Sequence, residues 1–398
     1  MESMFSNLSE ADLAIKAEAE EYALNEIAPY VNDIDQGKKE IWDVIRPLGK
    51  KGLIGVTFPK RFGGRSGSFL QELLVSEAIS YHSLPIDMSR LSSSYPALLI
   101  RMFGKTKILR KYMDPLLKGE KIGCFCFTEP DAGSDLSRMK TIYKKDDLND
   151  EFILTGEKRF ITNGSIADTL VVYGRNGAFI IESDWEGFEV IEEYQMMGLH
   201  GLHLGHMKFN NVRVPKENLL FYKEIKPTSD GTKRMGKTSA ISSMQVMLAP
   251  ERVAVSVQVM GVAKRAIDVA IQYSQERVQF KRPICEFEGI SFKIAEMVTN
   301  FEAGKALLEK SVNHMEDGNL AAMAKLFVCT NAFKICDDAI QVLGGIGYTN
   351  KYPVERCARD VRLMRIGAGT DEVMKYIIQK GIYRKTESLE PLEKRKMF

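Results

Sequence analysis

The spacing of apolar residues changes twice along this chain of 398 residues. Before residue 120 and after residue 250, apolar side chains recur every three or four positions, which predicts amphipathic helices. Between residues 121 and 220, short runs alternate or are rich in β-branched residues, which predicts strands. The pattern predicts an α+β protein with a helical domain at 1–120, a β domain at 121–230 and a helical bundle at 231–398.

The predicted helices are bounded by proline, glycine and capping residues. They are Ala11–Ala28, Trp42–Leu53, Phe69–Tyr81, Tyr95–Phe103, Ile108–Leu117, Glu251–Tyr273, Phe287–Glu316, Leu320–Leu343, Val354–Leu363 and Asp371–Tyr383. The first half of Glu251–Tyr273 is apolar nearly all round, which is typical of the central helix of a bundle. Gly344 is expected to end one helix, and Thr370 is expected to N-cap the last.

The predicted strands are short. They are Ile153–Phe160, Thr169–Tyr173, Phe179–Glu182, Phe188–Glu192 and His206–Val214, with a hairpin at Arg175-Asn176-Gly177. A further strand through Phe125 and Phe127 runs into the segment TEPDAGSD, residues 128–135. There Pro130 removes a backbone donor and Gly133 permits a positive φ, so a shaped loop is expected. Such a loop could hold a polar cofactor or a phosphate, or it could be an ordinary exit from a strand.

Composition narrows the class of protein. Hydrophobic residues make up 44% of the chain and charged residues 27%, so a sizeable core is expected and disorder is not. A net charge of +2 with dispersed basic residues does not suggest a nucleic-acid binder. The chain begins without a signal-peptide pattern, and no uncharged span is long enough to cross a bilayer, so a soluble, cytoplasmic protein is expected.

Cysteine and histidine are the remaining candidates for metal chemistry. The six cysteines form no CxxC pair and mostly have apolar neighbours, which predicts buried thiols in a reducing compartment. His200, His203 and His206 recur at a spacing of three. Because no acidic residue or cysteine accompanies them at ligand spacing, no metal site is predicted.

The segment TEPDAGSD resembles the flavin-contacting signature of the acyl-CoA dehydrogenase family. Further segments resemble the family in its order: EKRFITNGSIAD, FNNVRVPKENLL, ERVQFKRPI, QVLGGIGY, PVERCARD and IGAGTDEV. The resemblance covers nearly the whole chain and implies the acyl-CoA dehydrogenase fold, with an N-terminal helical domain, a middle β domain and a C-terminal four-helix bundle. It also implies FAD, an acyl-CoA substrate, an electron-transfer flavoprotein as acceptor, a role in fatty acid or amino acid catabolism, and a homotetramer built as a dimer of dimers.

The resemblance assigns flavin contacts position by position. Those on the same chain would be Phe125, Phe127, Thr128, Gly133, Ser134, Phe160 and Thr162, with Thr370 and Glu372 near the cofactor. Those on a neighbouring subunit would be Arg277, Phe280, Gln341 and Gly345. Judged from the residues alone, Phe160 and Thr162 would also suit an edge strand, and Arg277 and Gln341 the polar surface of a bundle.

The family removes an α-proton from the thioester with a carboxylate while the β-hydride goes to flavin. Many relatives carry that glutamate in a motif resembling YEGT, where this chain has Ala368, which cannot act as a base. A branch that includes isovaleryl-CoA dehydrogenase and the long-chain enzymes takes its base from a bundle helix, just before an arginine. Here that residue is Glu251, before Arg252, and the isovaleryl type also has a motif very like IGAGTDEV. Glu251 is therefore the predicted base, the alternative being a glutamate that only complements the dipole of a helix N-terminus.

Substrate contacts follow from the same resemblance. Gly367 replaces the tyrosine of YEGT, which opens space for a short branched or bulky acyl group. The Ala368 N–H and a flavin ribityl hydroxyl would bind the thioester oxygen, with Ser134 and Arg252 also near the substrate. Because the family's LDxER reads Leu248-Ala249-Pro250-Glu251-Arg252 here, CoA is less firmly implied than FAD.

Two other functions share this scaffold. One is a flavin-dependent oxidase or monooxygenase, which need not keep a base at residue 251 or 368. The other is a non-enzymatic flavin-binding relative. Residues 221–250 are the least family-like stretch, and they could form a mobile loop near the substrate mouth or decorate the surface.

Overall fold

The computed structural model describes residues 3–224 and 239–386, and side-chain contacts within 3–224 and 248–383. Its chain forms two compact units, one of residues 7–247 and one of residues 1–6 with 248–398. The bounds of the three domains predicted from the sequence stay a prediction. None of the described helices has the length and apolarity needed to cross a bilayer.

The first unit begins with a helical layer. Its helices are α1 (Glu10–Tyr22), α2 (Val31–Asp35), α3 (Trp42–Lys50), α4 (Phe69–His82), α5 (Leu84–Phe103) and α6 (Thr106–Leu117). A π-helical turn at Ala23–Ile27 continues α1, so the two together cover most of the predicted first helix. Ser9 and Ser68 begin α1 and α4 with capping boxes, and apolar faces of this layer close around the buried Trp42.

Helix α5 begins at Leu84, so the predicted helix Tyr95–Phe103 was too short. The missed part is rich in buried serines, whose hydroxyls mask the apolar period. Ser89 Oγ donates to Asn163 Oδ1 at 2.6 Å, and Ser93 Oγ accepts from Gly123 N at 2.8 Å. These serines join α5 to the β domain, so their burial is satisfied by hydrogen bonds across the two layers.

The β domain consists of two four-stranded sheets. Its strands are β1 (Gly123–Cys126), β2 (Ile142–Asp146), β3 (Glu151–Thr162), β4 (Thr169–Gly174), β5 (Gly177–Glu182), β6 (Phe188–Glu193), β7 (Leu204–Pro215) and β8 (Leu219–Tyr222). One sheet has the order β1-β4-β5-β8 and the other β2-β3-β7-β6, and only β1 and β4 pair in parallel. The five regular strands and the hairpin after β4 are confirmed with shifted ends, whereas β2 and β8 were not predicted.

Strand β3 is bulged, and the bulge decides which side chains leave the core. Its register with β7 shifts between Lys158 and Ile161. Within that interval Phe160 has φ +57° and is 49% exposed, while Lys158 is buried. A bulge re-aims a side chain in this way, so the Phe160 ring faces outward at the end of the strand.

The second unit is a helical bundle with one small hairpin. Its elements are α7 (Ser239–Glu276, of which 248 onward belongs to this unit), β9 (Val278–Gln279), β10 (Arg282–Pro283), α8 (Glu288–Asn313), α9 (Gly318–Leu343), α10 (Val354–Arg362) and α11 (Asp371–Thr386). Helix α9 packs against α8, α10 and α11. A Cβ on Gly304 of α8 would lie 3.3 Å from Met260 Sδ and 3.5 Å from Val328, so three helices meet closely there. Gly344 ends α9 with φ +65°, and Thr370 Oγ1 accepts from Val373 N, so both predicted caps are confirmed.

Helix α7 begins at Ser239, so the predicted helix Glu251–Tyr273 is confirmed with an earlier start, and Glu251 does not lie in its first turn. Pro250 lies inside the helix rather than in its first turn. It cannot donate to the carbonyl one turn earlier, which is the local weakness that made the sequence read as a helix start. Residues 225–238, in the segment for which a mobile loop or surface decoration was considered, lie outside the described residues.

Free thiols account for all six cysteines, and five of them are buried, as expected; Cys285 is half-buried. The three histidines spaced three residues apart have separate acidic neighbours. His200 Nδ1 lies 3.2 Å from Asp35, and His206 Nε2 lies 3.5 Å from Glu157. Among the described residues no group of three or more side chains has a geometry that could hold a metal ion.

His203 connects the helical layer to the β domain. Its Nδ1 lies 3.0 Å from Glu193 Oε1 and its Nε2 lies 3.0 Å from Glu40 Oε1. Burial alone would lower the pKa of His203, but the hydrogen bonds and charges of both carboxylates raise it above its ordinary value. The stabilisation is therefore complete below the unfolded pKa of about 6.5, and it is lost as the pH rises through the higher folded pKa.

We expect His203→Gln to lower the free energy of unfolding by about 1 kcal/mol near pH 6, because both carboxylates are largely exposed and screened. The loss should shrink near pH 9, where the wild-type imidazole is neutral. Denaturant unfolding at both pH values measures this difference. The exposed His314→Gln is the matched control, and an equal loss for His203→Gln at both pH values would contradict the charge-based explanation.

Candidate active site

A buried carboxylate fixes the segment that leaves β1. Glu129 is 3% exposed and accepts from Lys140 N at 2.5 Å, Thr141 N at 3.1 Å and Lys158 Nζ at 2.7 Å. Lys158 Nζ also donates to Phe127 O at 2.8 Å. Burial lowers the pKa of the Lys158 ammonium and Glu129 opposes that shift. The pair therefore holds both ends of the loop against strand β3.

The loop itself presents its polar groups to solvent. Gly133 and Ser134 are exposed, and a Cβ on Gly133 would meet only Thr128 Cγ2, at 4.0 Å. Gly133 does not adopt the positive φ that a glycine permits. The turn is instead closed by reciprocal backbone hydrogen bonds between Glu129 and Ala132, of 3.0 and 3.2 Å. The glycine consequently leaves open space above the loop rather than a left-handed turn.

Aromatic rings lie beside this loop. Phe125 and Phe127 are half-buried, with ring centroids 5.2 Å apart, and Tyr95 of α5 contacts Phe125 edge-on at 5.1 Å. Arg159 N donates to the loop carbonyl of Thr128 at 2.9 Å, so the residue that follows it, Phe160, lies next to the loop. An exposed ring beside free hydroxyls and open space is a suitable platform for a planar, polar cofactor.

Phe160 is not alone on its surface. The Arg159 guanidinium lies 4.7 Å from its ring centroid, and the Tyr194 ring lies 4.9 Å away. Thr162 is half-buried at the end of β3, where its carbonyl accepts from Ser92 Oγ at 3.4 Å. Strand β3 lies between β2 and β7, so the interpretation of Phe160 and Thr162 as residues of an edge strand does not hold.

The positions assigned to a neighbouring subunit are accessible in the second unit. Arg277, Gln341 and Gly345 are exposed, and Phe280 is 88% exposed. Phe280 and Lys281 form the two-residue turn between β9 and β10 with φ +48° and +69°, although neither is a glycine. Left-handed backbone at bulky residues is costly, and it concentrates where a side chain must be presented. Their contact with a neighbouring subunit stays a prediction.

Glu251 lies in the interior of α7 and not at a helix end, which removes the interpretation as a dipole-complementing residue. The side chain keeps some exposed surface, yet burial raises the pKa of its carboxyl to about 7. The positive charges of Arg252 and Lys325 oppose that shift. A carboxyl with a pKa near 7 is suited to act as a general base.

The segment that replaces YEGT has an unusual backbone. Ala368 has φ +53° and Gly369 has φ +98°. Lys325 Nζ of α9 donates to Gly369 O at 2.6 Å. Within residues 3–224 and 239–386, nothing accepts a hydrogen bond from the Ala368 amide. Among the residues that the structure describes, a Cβ on Gly367 would meet only Leu363 O, at 3.8 Å, so these residues leave the space expected beside this glycine open.

Two further buried ions lie in this unit. Arg252 is 7% exposed, and its Nε has no hydrogen-bond partner among the described residues; burial lowers the pKa of its guanidinium, and Glu251 opposes the shift. Asp371 is 5% exposed and accepts from Arg365 Nε at 2.8 Å. Sequence reasoning missed Lys325, Arg365 and Asp371. The sequence offered one indication of a buried cation, because Lys325 lies on the apolar face of the predicted helix Leu320–Leu343.

Comparisons with known proteins agree with this architecture. Residues 9–120 match the acyl-CoA dehydrogenase N-terminal domain, 124–212 the middle domain and 241–383 the C-terminal domain. An acyl-CoA dehydrogenase of Bacillus subtilis (strain 168) is 32% identical over 94% of this chain and 98% of its own. The subunit CarC of a caffeyl-CoA reductase-Etf complex from Acetobacterium woodii is 30% identical over 95% of this chain and 99% of its own.

A solved structure also indicates the acyl-CoA dehydrogenase architecture. Butyryl-CoA dehydrogenase from Megasphaera elsdenii superposes with a TM-score of 0.85 at 31% identity, covering 96% of this chain and 100% of that one. The fold is therefore that of acyl-CoA dehydrogenases, with N-terminal helical, middle β and C-terminal helical domains. The chain belongs to the acyl-CoA dehydrogenase family, and it is a flavoprotein oxidoreductase.

We expect Lys158→Met to lower the free energy of unfolding by about 3–5 kcal/mol, because it leaves the Glu129 carboxylate buried without its cation. Thermal and denaturant unfolding measure the loss. Lys140→Met, which removes only an exposed pair with Asp131, is the control and should cost less than about 1 kcal/mol. The double variant Glu129→Gln/Lys158→Met should recover part of the loss; no recovery would argue against coupling of the two charges.

Proposed function

We propose that the protein catalyses the FAD-dependent α,β-dehydrogenation of an acyl-CoA thioester with a short branched or otherwise bulky acyl group. Glu251 is the base that removes the α-proton. The observation that carries this proposal is the half-buried Glu251 carboxyl with a pKa of about 7, on a chain whose residue 368 is alanine.

The chemistry requires a base and a donor acting together. The α-proton of a thioester is a weak acid, so the negative charge that develops on the carbonyl oxygen must be stabilised as the proton leaves. The Ala368 N–H, which has no acceptor among the described residues, supplies a donor for that oxygen. Arg252 has a buried Nε without a partner in the same described region, and it supports substrate binding beside the base.

We infer the acyl group from the open space beside Gly367, in the segment that replaces YEGT. Gly367 carries no side chain, and even a Cβ there would have only one neighbour within 4 Å. This space favours an acyl chain that is branched or bulky close to the thioester over a narrow straight chain.

For FAD, the suitable residues of the first unit are Phe125, Phe127, Thr128, Gly133, Ser134, Phe160 and Thr162. The exposed Phe160 ring offers a stacking surface, and the loop of residues 128–135 offers hydroxyls and amide donors. When bound, FAD accepts the β-hydride. An electron-transfer flavoprotein as acceptor is supported by the Acetobacterium woodii relative, which is named as part of a complex with Etf.

We expect Glu251→Gln to lower kcat by about 10²-fold or more while flavin content is retained, because glutamine cannot accept the α-proton. In the wild type, kcat/KM should rise with pH up to about 7 and then level off, as the free carboxyl ionises. Stopped-flow flavin reduction measures both. Glu288→Gln, on an exposed residue at the start of α8, is the control; unchanged reduction by Glu251→Gln would rule out its role as base.

The substrate class is tested by anaerobic titration of the oxidised protein with isovaleryl-, isobutyryl-, aryl-propionyl- and straight-chain acyl-CoAs. We expect the branched and bulky thioesters to bleach the flavin absorbance faster than butyryl-CoA, because Gly367 leaves room for them. The reverse order would contradict the proposed acyl group. Because one relative is named as a reductase, reoxidation of the reduced protein by the matching 2-enoyl-CoA should also be measured. A bound flavin that no acyl-CoA reduces, and that consumes oxygen with another substrate, would favour the oxidase alternative.

A further inference from the structure

Lys325 is a buried cation that the reaction above does not use. It lies on α9, is 0% exposed, and donates through Nζ to Gly369 O at 2.6 Å. Burial lowers the pKa of its ammonium, while Cys329 and Asp371 oppose the shift. A lysine is seldom fully buried unless a specific partner compensates it, so the contact with Gly369 needs a reason beyond packing.

The backbone around that contact shows what the lysine restrains. On one side, Gly367 N donates to Leu363 O at 2.9 Å, and on the other, Lys325 holds Gly369 O. The restrained groups belong to the Ile366–Gly367 and Gly369–Thr370 peptides, so the two hydrogen bonds anchor the segment on either side of Ala368 and limit the dihedrals that residues 367–369 can adopt together. Ala368 has φ +53°, which for a residue with a Cβ costs about 1–2 kcal/mol. Without an external restraint the segment would relax away from this conformation.

We propose that Lys325 is a positioning residue for the thioester carbonyl: by holding Gly369 O, it keeps the left-handed Ala368 peptide aimed at the substrate oxygen. This inference rests on the proposed dehydrogenase function and adds a residue to it. The lysine acts through the loop and touches neither substrate nor base. Its charge has a second effect, because it opposes the protonation of Glu251 in the same sense as Arg252.

The charges around Lys325 and Glu251 determine whether loss of the Lys325 charge raises or lowers the pKa of Glu251. The charged and titratable groups that act on this lysine or on the base are Glu251 and Arg252 of α7, Cys329 of α9, Arg365 before α11, and Asp371 of α11. Removing the positive charge at residue 325 leaves Arg252 as the cation that opposes protonation of Glu251. The acidic limb of the pH profile should therefore move to higher pH.

The test compares Lys325→Met, Lys325→Gln and Lys325→Arg in the flavin-loaded protein. The methionine removes the donor and the charge, the glutamine restores a neutral donor, and the arginine restores both. Lys334→Met is the matched control, because Lys334 lies on the same helix but pairs with Asp338 at 2.7 Å. Flavin content and unfolding midpoints are measured for each variant.

We expect Lys325→Met to lower kcat by about 10²-fold with a much smaller change in KM, the effect of a misplaced donor. Lys325→Arg should recover at least tenfold of that loss, and Lys334→Met should match the wild type. A 3-ketoacyl-CoA serves as a probe that does not turn over, since its α-proton ionises when it is bound. Its bound pKa, read from absorbance, should rise in Lys325→Met because its enolate oxygen loses an aligned donor.

Several outcomes overturn the inference. Folded Lys325→Met with kcat within twofold of wild type and the same probe pKa would make Lys325 a packing residue. A lower unfolding midpoint with unchanged kinetics would mean the same. If Lys325→Met does not fold, Lys325→Gln and Lys325→Arg decide the matter with the same probe. A wild-type flavin that no acyl-CoA reduces would instead sink the proposed function, whatever the variants do.

Discussion

The buried ion pair between Glu129 and Lys158 is the contact on which the β domain's functional surface depends. A carboxylate taken out of water must collect compensating donors, and Glu129 has three, from Lys158 and the amides of Lys140 and Thr141. Together they fasten the exit of β1 to the bulged strand β3. Because the loop between them is held at its base, its hydroxyls and amides can stay exposed without being disordered. The outward Phe160 belongs to the same bulge, so ring and loop are fixed by one arrangement.

Elements with a strong local period were predictable from the sequence, and those that depend on distant partners were not. Helices α8 and α9 carry apolar residues at helical spacing, and strands β4 and β5 are continuous apolar runs buried on both faces, so each pattern can be recognised within its own element. The start of α5 was missed because Ser89 and Ser93 are buried for hydrogen bonds to the β domain, which a hydropathy pattern reads as a loop. The bulge at Phe160 arises from pairing with β7, far along the chain, and the residues around Phe160 carry no pattern that predicts it.

The candidate site also has parts that the sequence predicted and parts that depend on contacts with distant elements. Resemblance pointed to Glu251, but the raised pKa of that carboxyl depends on burial that its neighbours in sequence do not reveal. Gly133 permits a positive φ but does not adopt one; it leaves open space instead, and the sequence does not distinguish these two uses of a glycine. Lys325 was not considered, since its partner Gly369 lies on another element. Contacts across elements therefore account for most of what the sequence did not predict.

In the proposed mechanism the base on α7 and the carbonyl donor on the loop before α11 are carried by separate elements, whereas a glutamate at residue 368 would place both on one segment. Because the proposed base and the proposed donor lie on separate elements, their relative position depends on how the helices of the bundle pack. Helix α9 contacts α11 and α10, and it carries the lysine that bonds the loop. That lysine's charge also reaches Glu251. Lys325, a buried side chain on a long, regular helix, would thus act on both the proposed donor and the proposed base. The loop before α11 cannot do so by itself, because it carries no glutamate at residue 368.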